Sequence, residues 1–217
     1  MARSLVVALL VSGEGTTLDA LAEEIAGGHL PVRVALVVAD RPHAPAVEKA
    51  RRRGLPTSVV PFRGEEPERW SDRVTQLLRD AGTELVVLAG FLAVLPPSFV
   101  GAWPGRILNL HPSLLPLHGG PGMYGIEVQR AVLASGARET GATVHVVTSE
   151  LDRGPIVAQA KVAVLPGDTP ESLRDRLRPV ERALLFGVLR RIAEGALPLP
   201  LEHVPPSARS PDGAAGR

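Results

Sequence analysis

The chain has 217 residues, 45% of them hydrophobic and 22% charged, which suits one folded α/β domain with a sizeable core and excludes a disordered chain. A net charge of +1 gives no reason to expect nucleic acid or an anionic membrane as a partner. With no cysteine, disulfide scaffolds, cysteine nucleophiles, thiolate-held zinc and iron–sulfur clusters are all excluded.

Leu5–Val11 is an apolar stretch too short to cross a bilayer, and a glycine turn follows it where a signal peptide would have a cleavage site. It reads as a first strand, and a cytoplasmic protein is the expectation. Further runs rich in Val and Leu occupy Val32–Ala39, 57–60 and 84–89, each bounded by Gly, Pro or Asp. Continuous apolar runs suit strands buried on both faces. Between them, 17–26, 44–53 and 66–80 carry helical periodicity, so the rhythm predicts a doubly wound, mostly parallel sheet of the α/β class. A strand at 106–110 leads into His111 and a loop crowded with Pro and Gly over 112–122. Two more strands, 142–148 and 156–164, flank the polar turn 149–155 and are expected to pair antiparallel, as a C-terminal extension. The last long helix, Pro170–Ala193, opens with Asp168 or Thr169 as cap and Pro170 in its first turn. One domain is expected over 1–204, with a disordered tail at 205–217 that has no apolar content to bury.

Chemistry can sit first at Ser12-Gly13-Glu14-Gly15-Thr16-Thr17, directly after the first strand. A glycine turn feeding a helix presents backbone N–H groups and the positive end of the helix dipole, which together suit a phosphate. The motif is neither a P-loop nor a complete dinucleotide fingerprint, since Leu18 stands at the third glycine position. The alternative is a plain turn with Thr16 or Thr17 as helix cap. Asp40 could mimic the ribose-binding acid of a dehydrogenase, but a solvated turn residue is the preferred reading.

The strongest constellation is Asn109-Leu110-His111-Pro112-Ser113-Leu114-Leu115-Pro116. Residues i and i+2 of a strand share a face, so Asn109 and His111 point the same way at the carboxyl end of a strand, where open sheets bind ligands. An amide donor beside an imidazole can hydrogen-bond an oxyanion and move a proton in the same step. Asp152, in the 149–155 turn, would favour a charged imidazolium and relay a proton through water if the turn folds back over His111; otherwise it bonds its own backbone. His145 reads as a satisfied core or edge histidine. No histidine spacing suggests a metal site, and no Gly-x-Ser-x-Gly elbow suggests a serine hydrolase.

With these motifs the chain resembles the phosphoribosylglycinamide formyltransferase family, folate-dependent enzymes of purine synthesis. The resemblance runs in order through Val11 to Thr16, Leu88-Ala89-Gly90-Phe91-Leu92, Ile107 to Pro116, Gly141-Ala142-Thr143-Val144-His145 and Leu151 to Pro155. It implies a Rossmann-like formyltransferase fold and direct transfer of the formyl group of 10-formyltetrahydrofolate to the amine of a small phosphorylated substrate, glycinamide ribonucleotide. Asn109, His111 and Asp152 match the family's catalytic trio. Gly15, Thr16 and Thr17 match its phosphate site, and Arg178, Pro179, Val180 and Glu181 the stretch that contacts the glycinamide part. The folate pocket matches Leu92, Ala93, Val94 and Leu95 together with Asn109, Thr148, Ser149, Glu150, Leu151 and Asp152. No metal, nucleic acid or membrane is implied, and monomer and homodimer both stay open.

The chain departs from the family pattern at Gln129 and Arg182, where histidines are common, and Arg69 is only a candidate for meeting the folate tail. Methionyl-tRNA formyltransferase carries an added C-terminal domain and formyltetrahydrofolate hydrolase an added N-terminal one; neither is expected here. The hydrolase and a non-catalytic folate- or nucleotide-binding module remain as alternatives.

Overall fold

The computed structural model describes residues 4–201; the tail expected at 205–217 lies outside the described residues. Its elements run β1 (Leu5–Val11), α1 (Thr16–Ala26), β2 (Val32–Ala39), α2 (Pro45–Arg52), β3 (Thr57–Val59), α3 (Pro67–Asp80), β4 (Leu85–Leu88), α4 (Pro97–Ala102), β5 (Ile107–His111), α5 (Ile126–Ala134), β6 (Glu139–Val146), β7 (Ile156–Ala163) and α6 (Pro170–Ala193). They build one seven-stranded sheet in the order β3-β2-β1-β4-β5-β6-β7. β1 to β5 pair in parallel, while β6 runs antiparallel to both β5 and β7. The mostly parallel sheet with an antiparallel extension is the architecture the sequence rhythm predicts.

The apolar runs are explained by burial on both faces of the sheet. Along β1, Val7, Leu9 and Val11 join one core layer with Leu21, Val37, Val144, Leu177 and Leu185. Ala8 and Leu10, on the opposite face, join the other layer with Trp70, Val74, Leu78, Phe99 and Ile107. Each fully buried Leu, Val or Phe side chain contributes about 1.5–3 kcal/mol, so neither layer is dispensable. Trp70 anchors the second layer: its Nε1 donates to the Val60 carbonyl oxygen at 3.1 Å, and Phe62 and Phe99 lie 5.0 and 5.4 Å from its ring.

Three local expectations change. Helix α1 is capped by the left-handed Gly15, with Thr16 and Thr17 inside the helix and no side-chain cap. Asp40 is buried at 7% exposure, not solvated, because the chain leaving β2 packs against Val11 and Phe62, whose backbones bond Asp40. β6 begins at Glu139 and ends at Val146, three residues earlier at the start than the pattern predicts. Gly141 lies within the strand because it permits a close approach: a Cβ there would stand 2.0 Å from the Ala160 carbonyl oxygen. At α6, Thr169 is the cap; it accepts from the Ser172 backbone N–H while the Ser172 hydroxyl accepts from that of Thr169.

Among the described residues no helix is long and apolar enough to cross a membrane.

Candidate active site

The order of strands reverses at β1: β2 and β3 lie to one side, β4 and β5 to the other. Open α/β sheets leave a crevice at such a reversal, outside the carboxyl ends of the strands. Here it is a cavity of about 630 Å³. Thr16 and Thr17 from the start of α1, Leu92 to Leu95 after β4, and Asn109 and His111 of β5 line it, as do Thr148, Ser149, Leu151 and Asp152 after β6 and Arg178 and Glu181 of α6. Gly15, Glu150, Pro179 and Val180 do not line it. Gly15 instead shapes the turn: its φ is +69° and a Cβ would meet Ala46 Cβ at 2.8 Å. Val180 packs towards the core. Arg69 is exposed and borders a separate shallow groove with Arg63 and Glu66.

At the α1 end, the first N–H groups of the helix have no intrahelical partner, so the turn keeps the anion-binding character of its sequence. Ser12 Oγ accepts from the Leu92 backbone N–H at 2.9 Å, which ties the glycine turn to the 90–95 segment.

At the centre, antiparallel pairing sets Asn109 directly opposite His145. Asn109 Nδ2 donates to His145 Nε2 at 3.1 Å, and His145 Nδ1 donates to the Val146 carbonyl oxygen at 3.1 Å. That pattern assigns a neutral imidazole with its proton on Nδ1. Burial agrees, pushing the His145 pKa below the usual histidine value. His145 therefore orients the Asn109 amide and leaves it a second N–H. His145 is a satisfied core histidine as expected, 2% exposed with both ring nitrogens hydrogen-bonded, and it also lines the cavity. The signal available was its place in the Gly141-to-His145 motif; the register that makes it a partner of Asn109 is long-range.

His111, also buried, donates from Nε2 to the His118 carbonyl oxygen at 2.8 Å, while its Nδ1 stands 3.7 Å from Asp152 Oδ2. The Asp152 turn does fold back over the site. Its Oδ2 accepts from the Gly120 N–H at 2.9 Å, and Oδ1 lies 3.6 Å from His145 Nε2. His118 and Asp152 both adopt left-handed backbone, with φ of 53° and 54°. Non-glycine residues held there cluster at functional sites.

The Pro- and Gly-rich loop is pinned in its first half. Thr143 Oγ1 donates to the Ser113 carbonyl oxygen at 2.7 Å and accepts from the Leu115 N–H at 3.0 Å, and Gln159 Nε2 donates to the Leu115 carbonyl oxygen at 2.9 Å. At the α6 side, Glu181 sits between Arg178 and Arg182; burial raises its carboxyl to about 7 despite both cations. Arg174, Arg182, Tyr124 and Gln129 also border the cavity and stand outside the expected set.

A formyl transferase family model matches residues 5–189. The chain is 40% identical to the chloroplastic phosphoribosylglycinamide formyltransferase of Arabidopsis thaliana over 87% of its own length and 65% of that protein's. It is 35% identical to the phosphoribosylglycinamide formyltransferase of Haemophilus influenzae, covering 89% of each. The crystal structure of glycinamide ribonucleotide transformylase 1 from Symbiobacterium toebii superposes with a TM-score of 0.84 at 37% identity over 92% of both chains. A formyltetrahydrofolate deformylase from Pseudomonas syringae gives 0.80 at 28% identity, over 89% of this chain and 63% of that one. The chain spans 65% of the plant relative's length and 89% of the Haemophilus influenzae one's. On a family match through most of its length and on these alignments, the chain belongs to the formyl transferase family, among its phosphoribosylglycinamide formyltransferases.

Proposed function

We infer that the chain transfers the formyl group of 10-formyltetrahydrofolate to the amine of glycinamide ribonucleotide. The observation that carries this reading is the cluster of Asn109, His111, His145 and Asp152 set between an anion-binding helix end and an apolar segment, Leu92 to Leu95. A phosphorylated amine suits the first end and a flat folate ring the second.

The amine attacks the formyl carbon, a C–N bond forms, and the tetrahedral intermediate expels the folate nitrogen, which takes up the proton the amine loses. Asn109, its amide fixed by His145, offers its second N–H to the oxyanion. His111 has Nε2 engaged by His118, so its Nδ1 edge, facing Asp152, is the one left to donate to the ligand. Asp152 carries the charge opposite to the imidazolium and receives the amine proton through water. Thr16 and Thr17 hold the phosphate, and Arg178 and Glu181 the remainder of the substrate. Holding both reactants in one cavity removes the entropic cost of a bimolecular encounter.

The test is a spectroscopic assay of folate release by purified protein, with and without glycinamide ribonucleotide. Release only with the amine present, lost in His111→Ala, supports the transferase. Release without amine supports a deformylase instead, and no release in either tube a binding module.

A further inference from the structure

Helix α6 turns three arginines to the cavity, Arg174, Arg178 and Arg182, one to each turn of a single face. Like charges four residues apart on a helix repel, so the stripe works against the fold. Elsewhere on α6 guanidinium donors are used: Arg176 bonds Asp168 and the Ala163 carbonyl oxygen, and Arg190 the His29 carbonyl oxygen. Arg174 and Arg178 share the exposed Asp175, at 3.9 and 3.2 Å. Arg182 has no hydrogen bond or ion pair among the described residues, and its guanidinium nitrogens all remain accessible. Glu181 beside it feels its charge, but burial raises that carboxyl to about 7, so near neutral pH it offsets the arginine only in part.

The course of α6 says which ligand meets that charge. Arg190, about two turns on, bonds His29 just past the end of α1, while Arg182 lines the cavity together with Thr16 and Thr17. The two helices therefore pack side by side in the same direction, with Arg182 towards the start of α1. A helix start offers an anion about half a positive charge, whereas a phosphate monoester carries about two negative ones at neutral pH. A guanidinium supplies the missing charge and a fork of donors matched to phosphate oxygens. We propose that the Arg182 guanidinium donates hydrogen bonds to the phosphate of the amine substrate, completing with the start of α1 a site for a dianion. The inference rests on the transferase reading above.

The experiment is steady-state kinetics of the full chain, wild type and Arg182→Ala, on glycinamide ribonucleotide and on the riboside that lacks its phosphate. The expected result is a ratio of kcat/KM, ribonucleotide over riboside, that falls about tenfold in the variant, as for loss of a charged hydrogen bond to the ligand. Equal losses on both substrates, which an effect passed through Glu181 would give, overturn the proposal, as does a ratio within twofold of wild type. If the riboside turns over too slowly to measure, inorganic phosphate as a competitor of the ribonucleotide decides. Its inhibition constant should rise about tenfold in Arg182→Ala and recover in part in Arg182→Lys; an unchanged constant overturns the proposal. If Arg182→Ala does not fold, Arg182→Gln takes its place in both measurements. A wild-type chain that transfers nothing overturns the transferase reading itself; an active wild type with an unmoved ratio overturns this inference alone.

Discussion

Asn109 has one N–H spent on His145, and the other is the group a growing negative charge would use. Removing such a preorganised donor costs about 3 kcal/mol of transition-state stabilisation. Asn109→Ala is therefore expected to lower kcat about a hundredfold while the KM for folate moves only a few-fold; wild-type turnover would remove Asn109 from the mechanism. Glu181 makes the opposite bargain between fold and function. Burial lifts its carboxyl from 4.5 to about 7. Below pH 4.5 the residue is protonated in folded and unfolded chains alike. Between 4.5 and 7 the unfolded chain loses its proton first, so the folded state loses stability as pH rises, and the penalty is complete above 7. Glu181→Gln should thus be more stable than wild type at pH 8 by about 1–2 kcal/mol, discounted for its partial exposure, and equal to it near pH 4.5. Urea denaturation at the two pH values checks this, and the same variant should bind the amine substrate less well. Neither feature can be read from one residue in a sequence. Asn109 and His111 were legible because a two-residue spacing on a strand is local, whereas the value of His145 depends on a register set between strands 36 residues apart.

The elements legible in the chain are those whose reason is local. β1, β2 and α6 were foreseen over their observed ranges, because continuous apolar runs and a Thr169-Pro170 start are signals carried by the segment itself. α4 was not foreseen: it has six residues, starts on consecutive prolines, and is helical because Phe99 is drawn into the layer around Trp70. β6 lies earlier than the 142–148 run expected, at Glu139–Val146, and takes in Gly141, which lets β7 approach. The start of α6 gives a testable element. Thr169 and Ser172 close a capping box, and Asp168 accepts from the guanidinium of Arg176, the Leu165 N–H and the Ser172 hydroxyl. The Arg176 hydrogen bonds hold the Asp168 carboxyl far below the ordinary carboxylate range. A depressed carboxyl contributes stability above its unfolded value near 3.8 and loses it as pH falls below that. Thr169→Ala should cost about 1 kcal/mol at neutral pH. Asp168→Asn should lower the melting temperature at pH 7, with the gap to wild type shrinking as pH falls through 4; a gap independent of pH would mean that the carboxylate charge does not hold the helix start.

At the scale of the molecule, the parallel sheet and its reversal at β1 place the glycine turn, the 90–95 segment and the end of β5 around one crevice, and the antiparallel return brings Asp152 over it. The parallel half was legible from its βα rhythm. The closing of the 149–155 turn onto His111 was left open by the residues alone and implied only by the resemblance, because it depends on the Gly120 N–H reached across 32 residues. The cavity thus draws on α1, the loop after β4, β5, the turn after β6 and α6, which no part of the chain could assemble alone. Ligands that bind such a site bind the folded chain and not the unfolded one. Saturation at about a hundred times Kd should therefore stabilise the fold by about 2.7 kcal/mol. For a chain of this size that is a melting-temperature rise of about 5–11 °C with a folate analogue or with glycinamide ribonucleotide. The two should add when supplied together, since each occupies its own end of the cavity. Thr17→Glu sets a carboxylate against the phosphate site, so it should abolish the rise given by the amine substrate and leave that given by the folate analogue. Loss of both shifts together would mean that the two ends do not bind independently, and retention of both would place the phosphate elsewhere.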